Sequence, residues 1–243
     1  MRQFNRTLAL IFCGTIFAII GFSQDLKLAS ETYPEHRLLP LRGKVYSKTY
    51  IQIKGNPFLF KEWLPGTLYL NNNDSVTGVE LRFDTYQQIV VAYIRDLNRL
   101  ILPEEDLVTA FSINNRGIDH FFKRVNHDLG VKKAHSGYFL QVLYEGNMSL
   151  QKLFYNKTIT LRSPEMPFIE EFVPESAFYL YINGNYEILR MNKAFLKGRF
   201  PEYKKEISAY TRKNKLKYKK EKDFAMIIAY LDDIMKKPEG IKP

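Results

Sequence analysis

Residues 63–93 read WLPGTLYLNNNDSVTGVELRFDTYQQIVVAY. Three apolar runs, at 68–70, 76–83 and 89–93, are cut by two polar breaks. In the middle run Val79, Leu81 and Phe83 alternate with Gly78, Glu80 and Arg82. That is the period of two expected of a strand with one buried and one wet face. Asn71, Asn72, Asn73 and Asp74 fill the first break, because their short side chains bond their own main chain and tolerate left-handed backbone. The stretch predicts an antiparallel meander with Trp63, Leu68, Leu81, Phe83 and Val91 as core anchors.

The flanking sequence extends the pattern. Upstream, residues 44–53 (KVYSKTYIQI) read as a first strand and Gly55-Asn56-Pro57 as a turn. Downstream, 107–113, 120–125, 138–144, 150–155 and 158–162 read as strands. Asn114 to Gly117 is a strong turn signal, and Glu145-Gly146-Asn147 reads as a hairpin loop. Residues 164–174 hold three prolines and are expected to be a surface loop. The clearest hairpin joins 178–182 to 186–189 through Asn183-Gly184-Asn185.

From Asn192 the period lengthens. Pro201 and Glu202 can open a helix in which Tyr203, Ile207 and Tyr210 share a face. A second helix over 223–237 carries Phe224, Ile227, Ile228, Leu231 and Ile234 as one apolar stripe, with Asp232, Asp233 and Lys236 off it.

The N-terminus has Arg2 and Arg6, an apolar core over 8–20, and small-x-small at Gly21-Phe22-Ser23. This predicts a signal peptide at 1–23, cleaved before Gln24, and a lead-in segment at 24–43. Cys13 is the only cysteine and lies inside the signal, so a mature chain without disulfides or thiolate sites is expected. The bulky Phe12 before it argues against lipidation.

The formal charge of +10 is unevenly placed. Residues 190–243 carry 16 Lys/Arg against 7 Asp/Glu, which is +9; removing Arg2 and Arg6 leaves +8 in the mature chain, so 24–189 sum to −1. The excess peaks at Lys213, Lys215, Lys217, Lys219, Lys220 and Lys222, interleaved with Leu216 and Tyr218. Such a segment can rest on an anionic surface, each lysine contributing on the order of 1 kcal/mol. An exported chain does not routinely meet nucleic acid, so an anionic envelope component is the expected partner: a lipid, a polysaccharide or an acidic protein. Leu216 could instead dock the link between its two helices.

Signals for catalysis are weak. His120, His127 and His135 fall close together, but H-x6-H-x7-H matches no metal-site spacing, and His36 stands apart. Glu80 and Asp84 are the candidate carboxylate pair for acid/base hydrolysis. No G-x-S-x-G, phosphate loop or H-E-x-x-H is present. No cofactor or metal is expected.

The order of features resembles a family of uncharacterised exported proteins of Bacteroidetes. The residues that carry the resemblance are Gly55-x-Pro57, Trp63-x-x-Gly66, Arg82-Phe83-Asp84, Phe111, residues 138–146 and 150–155, Tyr179-Leu180-Tyr181, and an ending from Ala194 through Phe200-Pro201 to Asp223 and Tyr230-Leu231. The resemblance implies export and a common fold, and assigns no activity.

The expected fold is α+β and mainly β. An antiparallel meander at 44–189, rolled or barrel-like, precedes a basic helical segment at 190–243 packed on it. It is not expected to be an outer-membrane barrel, nor the mature chain to span a membrane. The expected role is a non-catalytic envelope or periplasmic binding or scaffolding protein. The alternatives are a hydrolase of an envelope polymer, and a carbohydrate or lipid carrier using an aromatic interior.

Overall fold

The computed structural model describes residues 41–47, 50, 53–131, 137–161 and 169–236. The predicted signal peptide, the lead-in as far as residue 40, His36, His135 and Arg162 lie outside them.

The meander forms as expected. Strands β3 (Leu64–Leu70), β4 (Ser75–Asp84) and β5 (Ile89–Ile94) pair antiparallel in order. Asn73 takes the positive φ (64°) that the first break needs. β6 (Arg99–Pro103) continues from β5, and β1 (Gly43–Val45) lies beyond it. On the other side of β3 a second meander runs through β7 (Val108–Asn115), β8 (Ile118–Val125), β9 (Tyr138–Glu145), β10 (Ser149–Leu161), β11 (Ile169–Ile182) and β12 (Asn185–Leu189). The pairing is antiparallel except where β2 (Ile53–Lys54) lies parallel to β11.

This order forces the sheet to roll. β6 and β7 are consecutive in sequence, yet three strands separate them. In a flat sheet four strand spacings would hold them about 19 Å apart. The link between them turns back on itself, Leu107 N–H donating to the Glu104 carbonyl at 3.0 Å. A turn that short closes the gap only if the sheet curls. β3 curls by a bulge at Gly66, where a side chain would strike the Ser112 carbonyl. The ladder does not close into a barrel: β1 and β12 remain its ends.

Inside the roll, Phe83, Phe111, Phe122 and Phe139 come from four strands and are at most 1% exposed. Phe111 stacks on Phe122 with centroids 4.6 Å apart, Phe83 and Phe139 meet the pair edge-on or tilted at 4.9–5.4 Å, and they meet each other edge-on at 6.0 Å. Leu68, Leu81 and Val91 are also buried, as anticipated.

The roll is sealed by a side chain. Strand β9 leaves β10 after the Leu140–Leu153 pair. There the Gln88 amide enters the ladder. Its Oε1 accepts from Phe139 N–H at 3.1 Å, and its Nε2 donates to the Phe154 and Thr85 carbonyls, each at 2.8 Å. One step along, Asn156 N–H donates to the Thr85 carbonyl at 3.3 Å. The β4–β5 turn thus replaces β9 as the partner of β10.

Helices α1 (Lys193–Arg199), α2 (Lys204–Lys213) and α3 (Glu221–Lys236) follow, with a 3-10 turn at Pro201–Tyr203. Asn192 caps α1, its side chain accepting from Phe195 N–H at 2.8 Å. Phe224, Ile227, Ile228 and Leu231 of the predicted stripe are fully buried against Leu150, Leu180 and Leu189 of the sheet.

Four expectations need correction. Residues 44–53 are not one strand; their ends join different partners, β6 and β11. The strands expected at 150–155 and 158–162 are one strand, β10. The loop expected up to 174 is strand from Ile169 onward. Pro174 is tolerated there because Asn156, its partner, turns its N–H away toward Thr85. The pair is therefore a non-hydrogen-bonded one, and the missing proline N–H faces away from β10 as well. Trp63 is not a core anchor. It is half-buried on the outer face, 5.8 Å from the Tyr93 ring, with the Arg82 guanidinium 5.3 Å from its own.

Replacing Gln88 with Ala should strand the Phe154 carbonyl and the Phe139 N–H, while the Thr85 carbonyl keeps the Asn156 N–H. Chemical denaturation should show a loss of about 3 kcal/mol or more. Trp63→Ala should cost no more than about 1–2 kcal/mol in the same measurement.

Candidate functional site

The densest charge of the chain lies in the link between α2 and α3, and its backbone is tightly held. Asn214 N–H donates to Tyr210 O at 3.0 Å, Lys215 N–H to Arg212 O at 3.2 Å and Leu216 N–H to Thr211 O at 3.0 Å. Lys215 takes a left-handed φ of 53°, which turns the chain off the helix. Lys217 N–H donates to the Asp223 carboxylate at 2.8 Å, fixing the entry to α3.

This backbone sorts the side chains by direction. Leu216 and Tyr218 turn inward and join the cluster under the helices. The Tyr218 hydroxyl donates to Thr211 Oγ1 at 3.3 Å. Leu216 therefore does dock the link between its helices. Arg212, Lys213, Lys215, Lys217, Lys219, Lys220 and Lys222 are all exposed. Among the described residues, none of these seven is in a salt bridge, although seven such pairs form elsewhere. Arg212 and Lys213 complement the negative end of the α2 dipole. The five lysines from Lys215 to Lys222 have no such reason to be there. The acids at the start of α3 are engaged elsewhere: Glu221 takes Lys152 at 2.5 Å, and Asp223 takes the Lys217 main chain.

Helix α3, which follows the link, is held to the sheet by a buried carboxylate that sequence reasoning placed off the apolar stripe. Asp232 is only 2% exposed. It accepts from the Tyr144 hydroxyl at 2.8 Å, from Asn147 N–H at 3.1 Å and from Met148 N–H at 3.3 Å, and pairs with Lys236 at 3.0 Å. Gly146 keeps the β9–β10 loop against it, since a side chain there would collide with both Asp232 and Tyr144. The period of 3.6 signals apolar burial only, so a buried Asp is invisible to it. Burial by itself would push the Asp232 pKa up. The Tyr144 hydroxyl, Lys236 and the Asn147 N–H outweigh it and hold the carboxyl below its ordinary range. Burial, then the bond to Asp232, pushes the Tyr144 phenol up to about 12.

Among the described residues, the sequence candidates for catalysis do not come together; His135 lies outside them. Glu80 faces outward and pairs with Arg95 at 2.5 Å. Asp84 is fully buried and accepts from the Tyr50 hydroxyl at 2.5 Å and from Tyr86 and Gln87 N–H at 3.0 Å. Four residues of strand put these two about 13 Å apart, beyond the reach of a hydrolytic carboxylate pair. His120 hydrogen-bonds Gln141 at 2.9 Å and packs on Phe60, and burial pushes its pKa down. His127 sits beside Tyr186. Among the described residues, no group of three or more His, Cys, Asp or Glu is placed to hold a metal ion. Inside the roll, where a carrier would hold its ligand, the four phenylalanines pack on one another.

Cavities open elsewhere. One of about 360 Å³ lies beside Gln87, Gln88 and Arg124. One of about 630 Å³ runs along β10 between Tyr86, Val131, Tyr138 and Tyr155. A third, about 550 Å³, separates β9 from α3 and reaches Lys222, which alone of the seven cations borders any of the three.

No family model, curated protein or solved structure matches the chain. Among the described residues, no helix is long and apolar enough to cross a membrane.

Because the folded-state pKa of Asp232 is depressed, its contribution to stability is fully present above the ordinary carboxylate pKa of about 3.9 and is lost as pH falls through the folded value. Asp232→Asn should therefore destabilise the protein by about 2–3 kcal/mol at pH 7. Denaturant titrations repeated at decreasing pH should show the gap between variant and parent closing in acid.

Proposed function

We infer that the chain is an exported, non-catalytic envelope protein that adheres to anionic lipid headgroups through the link between α2 and α3. The observation that carries this reading is the row of exposed cations without carboxylate partners among the described residues. The predicted signal peptide and the resemblance to exported proteins of Bacteroidetes support the location. A cation row of which only Lys222 borders one of the three cavities suits an extended anionic surface better than a single small anion. With Leu216 and Tyr218 turned inward, the contact is electrostatic and does not insert into the hydrocarbon. It is accordingly screened within a Debye length of about 8 Å at physiological ionic strength.

Vesicle co-sedimentation tests this. The protein should bind vesicles containing phosphatidylglycerol and ignore pure phosphatidylcholine, and binding should fall as salt rises. Lys215→Glu, Lys217→Glu, Lys219→Glu and Lys220→Glu combined should weaken it more than tenfold, since each lysine contributes about 1 kcal/mol near the surface. These side chains are exposed, so thermal unfolding should be unchanged. Binding that survives the four reversals, or shows no preference for anionic lipid, rules the reading out. Binding to an anionic polysaccharide in place of the vesicles would move the contact to that partner.

A further inference from the structure

Strands β10 and β11 run on together after β9 has left, as a two-stranded arm from the Asn156–Pro174 pair to the Leu161–Ile169 pair. The two edges of this arm are treated differently. The outer edge, on β11, is covered by β2 at Glu170 and Glu171 and by β12 from Phe178, and Pro174 removes a donor between them. The inner edge, on β10, is matched by the β4–β5 turn only as far as Asn156. Asn156 N–H points to this edge, so by strand alternation the main-chain groups of Thr158 and Thr160 point there too. Among the described residues, neither has a strand partner on that side. Natural sheets guard such an edge with lysine or proline. The one nearby lysine, Lys157, is drawn to β11 by Glu175 at 2.5 Å.

Two apolar side chains stand beside this edge. Ile159 is 40% exposed and Leu161 38%. Both alternate onto the sheet face that carries Tyr155, and Tyr155 lines the cavity of about 630 Å³ at the root of the arm.

We propose that this edge pairs antiparallel with the same edge of a second copy, forming a twofold-symmetric dimer centred on Ile159. The register follows from which groups point outward. Thr158 and Thr160 lie on the outward-pointing positions, so each meets the other across the axis as a hydrogen-bonded pair, giving about four main-chain hydrogen bonds by symmetry. Ile159 then faces its own copy as a non-hydrogen-bonded pair, and Leu161 faces Lys157. Directly opposed residues share a face, so the Leu161 of one copy falls next to Tyr155 of the other, at the mouth of the cavity with Val131 and Tyr138. No like charges are brought opposite one another. Strand addition of this kind takes affinity from the main chain and specificity from alternate side-chain pockets.

The register gives a test that a merely sticky surface would fail. In a Cys13→Ser background, Ile159→Cys places two thiols across the axis at a separation of about 4.5 Å between α-carbons, and mild oxidation should convert the chain to a covalent dimer. Lys157→Cys, two residues away and also exposed, should not cross-link. Sedimentation of the parent protein should rise from one to two chain masses with concentration. Thr160→Pro, which removes a donor from the open edge and none from the β10–β11 ladder, should hold it at one. Equal cross-linking at both positions overturns the proposal. So does a parent protein that stays monomeric at every concentration, as it would if another part of the chain covered the edge. A dimer indifferent to Thr160→Pro overturns it as well.

Discussion

The fold depends on one carboxamide. Where β9 and β10 separate, the ladder would expose a buried N–H and a buried carbonyl, each costing about 1–3 kcal/mol without a partner. Gln88 supplies both bonds from a position with left-handed backbone, φ 57°, in the tight turn between β4 and β5. Its carbonyl and its NH2 copy the acceptor and donor of a peptide unit. The side chain therefore stands in for a residue of strand. That substitution lets a rolled sheet be sealed without closing, and it leaves β10 free to extend past its neighbour.

What could be read from the sequence depended on whether it was local. The Asn183-Gly184 turn, with φ of 51° and 81°, follows from its dipeptide, and the α3 stripe from its spacing. A rolled sheet is expected, but its strand order does not follow locally, because it rests on β7 returning to β3, and nothing local marks which strand a later one will join. Pro174 reads as a loop signal because proline usually breaks a ladder, and only the pairing phase shows that its lost donor faces outward. Trp63, at the start of the meander, reads as a core anchor, although its position beside Arg82 and Tyr93 follows from the same alternation that puts Leu81 and Phe83 inside. At the candidate site the cations were legible as composition. The direction of Leu216 and Tyr218 was not, because it is set by the left-handed backbone of Lys215 and by the Asp223 carboxylate that holds the Lys217 N–H.

The helical segment is fixed to the sheet by chemistry of two kinds. An apolar stripe gives most of the area, while Asp232 sets the rotation and height of α3 on the β9–β10 hairpin. A stripe alone tolerates sliding by small steps. A carboxylate held by two main-chain N–H groups and a phenol does not. The lysines thereby inherit a fixed position relative to the sheet.

The bonds of Gln88 reach 51 residues forward to Phe139 and 66 to Phe154. Contacts so distant along the chain form only after a large loss of chain entropy, and folds dominated by them assemble slowly. The β3–β4 and β11–β12 hairpins can form locally and early, whereas the seal at the mouth of the roll closes late. Until it does, β10 is unpaired along most of one edge, and newly made chains are most open to joining one another. A single glutamine thus governs both the finished shape and the interval during which a folding chain is vulnerable to its neighbours.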